Sequence, residues 1–313
     1  MALLNPPELR VSVLVIITGY LAACRGRRER RDRLVDVLAP AGLSRDGKHQ
    51  NDVLVNLTCA RELGLVDVED NVVRLAPEAC KPAGESAQAM AAFIRRRVLA
   101  PETNTAAWGS QQGARDLTNA LAWFLQFAPA DAPTGFEGGK RNAAELQTVD
   151  FGRRHEASSA ADDEEVGGVS GWPIANDTRW RTFRRWACSL GFCWPSPSGD
   201  LIPDPTPAVR AVLPDVFAET KVLPGPAFVR ALGWQLPVLE TGEFRAFVNA
   251  HRAELLEDTE LHGSGARLSS ATTDAVRRLE REGLIRLDDH ADAERLTLFD
   301  GTTASHVRVG SGQ

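Results

Sequence analysis

The chain has 313 residues, with 36 Lys and Arg against 42 Asp and Glu for a net charge of −6, and 43% of it is hydrophobic. That length holds two or three domains, and that apolar fraction supports packed cores, which excludes a wholly disordered chain. The acidic balance excludes the uniformly basic surface usual for nucleic-acid binders, so any such contact must rest on local charge.

The five cysteines, Cys24, Cys59, Cys80, Cys188 and Cys193, are scattered and form no CxxC pair. No His stands near Cys188 and Cys193 to complete a zinc site. The spacing predicts reduced, mostly buried thiols in a cytoplasmic protein, with no disulfide framework, metal or cofactor.

Residues 1–80 read as one unit. Pro6-Pro7 starts a first helix over 9–23, and a second is predicted over 32–38. Leu21-Ala22-Ala23-Cys24 resembles a lipoprotein cleavage box. The dense positive charge after Cys24 opposes translocation, and the apolar run is short for a bilayer, so a buried first helix is expected and no membrane contact. A third helix over 49–63 carries Val53, Leu57 and Ala60 on one face, Gly64 ends it, and strands over 65–68 and 72–75 flank Asp70-Asn71. Three helices followed by a hairpin is the order of a winged helix-turn-helix.

Residues 81–130 carry helical patterns over 90–100 and 115–127. Residues 131–169 lose periodicity and end in the acidic run 162–165, predicted to be a loop or linker. Residues 170–205 read as a second winged-helix-like module, with a helix over 177–190, Gly191 as its stop, and a hairpin turning at 198–200. Residues 206–254 read as a helical segment. Residues 255–300 read as a third module, with a helix up to Glu282, Gly283 as its stop, and a hairpin pairing 284–287 with 295–299. Residues 301–313 read as a frayed tail. The predicted fold class is therefore mainly α with short β-hairpins (α+β), as repeated winged helix-turn-helix modules joined by helical segments.

Gly64, Gly191 and Gly283 align these modules. Four residues before them stand Ala60, Ala187 and Leu279, and one residue after stand Leu65, Phe192 and Leu284. A helix that closes through a left-handed glycine and drops its next apolar residue into the core needs that spacing.

No catalytic constellation is present. The stretch 135–140 (GFEGGK) lacks Walker spacing, HExxH and GxSxG are absent, and the six histidines are widely spaced. A non-enzymatic protein is expected. DNA contact is the natural function of a winged helix, and two basic sets are candidates. Arg25, Arg27, Arg28, Arg30, Arg31 and Arg33 form a run able to neutralise phosphates. Arg181, Arg184 and Arg185 lie opposite the stripe of Trp180, Phe183, Ala187 and Leu190, which suits either groove entry or a solvated face backed by aromatic packing. The third helix of the first module offers Asn51, Asp52, Val55, Thr58 and Glu62, a poor base-reading face. Residues 254–300 hold twelve acidic residues against six Arg, which opposes a phosphate field and favours a protein partner.

The opening MALLNPPELRVSVLVIITGYL, the helix RWRTFRRWA at 179–187 with its Leu190-Gly191-Phe192 end, and the overall size resemble the DpdG family, and the resemblance covers most of the chain. That family belongs to bacterial 7-deazaguanine DNA-modification and restriction clusters, a phage-defence context. The resemblance implies a role beside helicase- or nuclease-like partners in discriminating foreign DNA, and brings no catalytic residues with it. The expected function is a non-enzymatic DNA-associated accessory subunit bound to double-stranded DNA. The alternatives are a protein-binding winged-helix scaffold of an ATPase or nuclease complex without DNA contact, and a transcriptional regulator.

Overall fold

A computed structural model describes residues 2–43, 47–110, 112–139, 141–152, 172–252, 267–291 and 293–310. The expected acidic run 162–165, His155 and His262 lie outside the described residues. The chain is mainly α with small antiparallel sheets, the predicted class. It divides into two compact units. One comprises Met1–Leu117 and Thr178–Leu190, the other Thr118–Asp177 and Gly191–Gln313.

In the first unit, α1 (Val11–Ala23) buries Val11, Leu14, Ile17, Thr18 and Leu21, residues three or four apart that share one helix face. Its entry is pinned by the buried Asn56 amide, which accepts from Arg10 N–H at 3.0 Å and donates to the Glu8 carbonyl at 2.9 Å. A short strand, β1 (Arg28–Arg30), follows, then α2 (Arg31–Leu38) and α3 (Lys48–Glu62). The hairpin β2 (Val66–Glu69) and β3 (Val72–Leu75) closes the module. The sheet order is β1-β3-β2. Asp70 and Asn71 both take positive φ, 46° and 61°, the two-residue turn whose twist matches a hairpin. The Asn71 amide donates to Asp32 at 2.8 Å and the Arg31 N–H donates to the Asn71 carbonyl at 2.8 Å, so the hairpin tip is tied back to the start of α2.

The remaining helices of this unit include α4 (Cys80–Glu85) and α5 (Ala87–Val98), both packed on α1. The unit also takes in α8 (Asp177–Ser189) from Thr178 onward, a helix distant in sequence that buries Trp180, Phe183, Trp186 and Ala187. The Arg95 guanidinium, buried and held down to about 10 by that burial and by Arg96, donates at 3.0 Å to the Leu190 carbonyl just past the end of α8. A cation at a helix C-terminus satisfies carbonyls that have no partner within the helix.

Asp116, in the first turn of α6 (Arg115–Phe124), holds the chain start. Its carboxylate accepts the N–H of Leu3 at 3.2 Å and of Leu4 at 2.8 Å, and that of Leu117 at 2.8 Å. Burial pushes its pKa up to about 6, against the opposing effect of those N–H groups and of Arg179.

In the second unit, α6 continues to Phe124, and residues 121–125 are all buried. The stretch read as a loop over 131–169 contains α7 (Ala143–Phe151). Its start is Asn142, whose side chain accepts the Glu145 N–H at 2.8 Å. Asn at the cap with Glu three residues on is a helix-start signal that the surrounding glycines masked. Trp123 donates to Asp150 at 2.7 Å, and Arg252 bridges Asp150 and Gln126. A small hairpin, β4 (Cys193–Pro195) with β5 (Leu201–Pro203), follows Gly191. The helix and the hairpin expected to form one module over 170–205 thus fall in different units.

Part of the rest of this unit, apart from α11, β8 and β9, repeats the element order of α1 to β3. In order come α9 (Thr206–Val216), β6 (Val222–Pro224), α10 (Gly225–Gln235), α11 (Glu243–Asn249), α12 (Ser270–Arg281), β7 (Ile285–Asp288), the small pair β8 (Leu296–Thr297) and β9 (Thr303–Ala304), and β10 (His306–Val309). The sheet order is β6-β10-β7. Setting α9, β6, α10, α12, β7 and β10 beside α1, β1, α2, α3, β2 and β3 gives the same sequence of elements and the same strand order.

Two expectations are corrected here. The expected hairpin does not pair 284–287 with 295–299: β7 pairs with β10, placing Arg308 opposite Arg286 and Val307 opposite Leu287, and the same sheet takes in β6, which lies before residue 255. The segment 295–299 instead contributes β8 to a separate pair with β9. Residues 301–313 are therefore no frayed tail over 303–309, where β10 is the central strand and Val307 is fully buried. The nearest apolar run looked like the return strand because hairpin partners are usually adjacent in sequence, and here a second small hairpin intervenes.

The aligned glycines behave as their spacing predicts. Gly64, Gly191 and Gly283 have φ of 66°, 82° and 73°. Leu65 N–H donates to Ala60 and Gly64 N–H to Arg61, and at the other end Leu284 donates to Leu279 and Gly283 to Glu280. These are the paired bonds of a Schellman closure.

Two predictions follow from these anchors. Asp116→Ala leaves the buried Leu3 and Leu4 N–H groups without an acceptor and costs about 1–3 kcal/mol in denaturant unfolding. Because the folded carboxyl titrates above its ordinary value near 4, its stabilising effect is full below that value and is lost as pH rises through about 6. The variant loses that fall in stability over this pH window. Val307→Ala opens a void in the β6-β10-β7 sheet and lowers Tm by about 5 °C, whereas a true tail would tolerate it.

Candidate nucleic-acid interface

Arg25 and Arg27 flank Gly26 in a single helical turn in which Gly26 and Arg27 have φ of 71° and 52°. All six arginines of the run 25–33 are exposed. Side chains two apart on a strand share a face, so Arg28 and Arg30 project together from β1 and Glu29 projects oppositely. Half-buried Glu29 accepts from the Tyr20 hydroxyl at 3.3 Å and pairs with Arg33 at 3.5 Å, and Arg30 pairs with Asp32 at 3.5 Å. The register sets Arg28 directly opposite Arg74 on β3, and Arg74 opposite Asp67 on β2. Arg25, Arg28, Arg30 and Arg74 line one concave surface of about 510 Å³, together with carboxylates of β2 and its turn. Among the described residues, the side chains of Arg25, Arg27, Arg28, Arg31 and Arg74 make no hydrogen bond or ion pair.

Arg181, Arg184 and Arg185 occupy a different surface. Arg181 is exposed, while Arg184 and Arg185 are half-buried. The Arg185 guanidinium donates to the Arg181 carbonyl at 3.3 Å and to Thr182 Oγ1 at 3.4 Å. Burial, then the neighbouring Arg10, hold it below the usual guanidinium range, with Glu8 opposing. Helix α8 thus carries both features expected of it, an aromatic stripe in the core and arginines on its other side, and the arginines are partly engaged with their own helix. On α3, Asn51 and Glu62 are exposed and Asp52, Val55 and Thr58 are half-buried. Arg74 was missed in the sequence because it is separated from the basic run by more than forty positions and sits in an alternating strand (Val72, Val73, Arg74, Leu75) that marks it only as outward-facing.

In the second unit, the helix equivalent to α3 has two of its arginines paired internally. On α12, Arg277 pairs with Asp300 at 3.2 Å and Glu280 at 3.1 Å, and Arg278 pairs with Asp204 at 2.6 Å. Glu240 accepts from Ser269 N–H and hydroxyl at 3.0 and 2.6 Å and from Thr272 at 3.1 Å, so a carboxylate already sits at the helix N-terminus. By contrast, α3 starts at Gly47 with no side-chain cap.

A second cavity, about 340 Å³, lies in the first unit against Cys59, Glu62, Glu102 and Thr103. Burial pushes the Cys59 thiol up to about 12, so it stays protonated at neutral pH, and Glu102 is paired with Arg97 at 3.1 Å. Among the described residues no group of three or more His, Cys, Asp or Glu is placed to hold a metal, and no helix is long and apolar enough to cross a membrane.

No curated protein and no solved structure matches the chain. A family model described as DpdG-like matches residues 1–293. The chain belongs to the DpdG-like family.

Proposed function

We propose that this chain is a non-enzymatic, cytoplasmic accessory subunit of a 7-deazaguanine DNA-modification and restriction system, whose first unit meets double-stranded DNA and whose second unit meets a helicase- or nuclease-like protein of that system. One observation carries the reading. The unit Met1–Leu117 with Thr178–Leu190 holds 20 Lys and Arg against 14 Asp and Glu, net +6, whereas Thr118–Asp177 with Gly191–Gln313 holds 16 against 28, net −12. A positive unit attracts phosphates, and a strongly negative one repels them.

Family membership supports the system to which the chain is assigned. We read the two topologically equal modules as winged helices, the first spanning α1 to β3 and the second α9 to β10. In the first, unpaired arginines crowd β1. In the second, Arg277 and Arg278 are already paired with carboxylates of the same unit, and Glu240 occupies the N-terminus of α12. That closure also favours the scaffold reading for the second unit, since a neutralised helix face can pack on protein without displacing counterions.

Fluorescence anisotropy against a random-sequence duplex tests this. Binding in the micromolar range or tighter that falls steeply with salt is expected, weakened at least tenfold by Arg28→Glu with Arg31→Glu and unchanged by Arg277→Gln with Arg278→Gln. Absence of binding at low salt removes the DNA-associated reading and leaves the protein scaffold.

A further inference from the structure

We propose that the outward face of β1 and β3 is a phosphodiester-binding strip in which Arg28 and Arg74 share one phosphate and Arg25 takes a neighbouring one. The backbone of a nucleic acid then runs along β1, not over α3 or the hairpin tip. The proposal rests on the DNA-associated reading and assigns its contacts.

The cross-strand pair Arg28–Arg74 is the starting point. Like charges directly opposite on one sheet face repel and destabilise the pairing. The neighbouring arginines are relieved of this, Arg30 by Asp32 and Arg33 by Glu29. Arg28 and Arg74 have no carboxylate within ion-pair distance among the described residues, although Asp67 stands opposite Arg74 in the register. Arg28 and Arg74 stand opposite each other in the register and line one concave surface together with Arg25. A phosphate there accepts from both and cancels their repulsion.

The same sheet sets the direction of the strip. Its outward face carries Arg28 and Arg30 on β1 and Asp67 and Glu69 on β2, with β3 between them. Strands lie about 4.8 Å apart, so β1 and β2 are separated by about 10 Å, close to the Debye length at physiological salt. Phosphates are attracted over β1 and repelled over β2. The hairpin tip adds Asp70 and is tied down by the Asn71–Asp32 bond, so it does not reach outward as a basic wing would. Helix α3 exposes Lys48 and Arg61 beside Glu62, with Asp52 half-buried. The usual docking, with the third helix in a groove and the wing on the backbone, is therefore opposed by charge at the wing, while on α3 the charges balance and supply no net attraction.

The test uses the full chain, a labelled random-sequence duplex, and salt titrations between about 50 and 200 mM KCl. Arg28→Gln and Arg74→Gln each weaken binding about threefold or more at the low-salt end. The double variant lowers the slope of log affinity against log salt by about one, the loss of a single phosphate contact. A fall of about two means independent contacts and overturns the sharing. Asp67→Asn with Glu69→Gln tightens binding at least twofold, and weaker or unchanged binding overturns the assigned polarity. Since Arg28 and Arg74 hold no intramolecular partner, neither substitution lowers Tm, and a fall in Tm would instead mark a structural role. Wild-type binding that survives both Gln substitutions but is lost on Arg181→Glu with Arg184→Glu overturns the strip and leaves the DNA-associated reading standing. No wild-type binding at low salt overturns both.

Discussion

The left-handed closure at Gly64 and Gly283 is the constraint on which both modules depend. At each, the N–H of the glycine and of the following leucine turn back onto the last turn of the helix, and the chain leaves as a strand at a fixed angle. A side chain at either glycine would strain a backbone with φ near 70°. At the second site the constraint is doubled. A Cβ on Gly310 would lie 1.7 Å from the Gly283 carbonyl oxygen, and Gly310 N–H donates to Leu284 at 2.8 Å. The end of β10 is thus packed at backbone distance on the turn that releases β7. Register across each sheet follows from that release, and register is what sets Arg74 opposite Arg28 and Val307 against Leu287.

Equal topology carries opposite electrostatics in the two modules. Helix α12 directs Arg277 and Arg278 onto Asp204, Glu280 and Asp300, and its N-terminus onto Glu240. The region around β1 leaves arginines without partners and draws on few carboxylates, Glu29 and Asp32 among them. The difference lies in side chains on a shared scaffold, so the fold alone assigns neither unit a ligand. Charge is what differs, +6 in one unit and −12 in the other.

Much of the first module was legible in the sequence because its signals are local. A capping glycine, an Asp-Asn turn and a stripe at Val53, Leu57 and Ala60 each act within a few residues. What escaped was non-local. The strand β1 lies in a run of arginines with no apolar alternation, and exists because β3 supplies its hydrogen bonds. Helix α7 lies among glycines, with its cap at Asn142 the sole local sign. The second module was found from its α12–Gly283–β7 centre, but its beginning at α9 and its end at β10 are separated from that centre by about fifty and twenty residues, and periodicity does not report pairing across such gaps. For the candidate interface, the basic run was visible and Arg74 was not, since a lone outward arginine in a strand gains meaning only from the residue opposite.

Beside the surface ion pairs, two sets of charged groups in this chain have different physical roles. The buried ones finish the backbone. Asp116 takes the N–H groups of Leu3 and Leu4, Arg95 the carbonyl of Leu190, and fully buried Arg245, held down to about 10 by its burial, donates to the Val238 carbonyl at 3.2 Å. Asp116 ties residues 3 and 4, Arg95 a helix end and Arg245 the connection between α10 and α11 to the core, where a polar group with no partner is costly. Such groups cannot change partner without loss of fold. On β1 and β3, Arg28 and Arg74 are exposed and unpaired, whereas Arg30 is engaged by Asp32. A phosphate bound at Arg28 and Arg74, as proposed, would displace only water and counterions and break no internal bond.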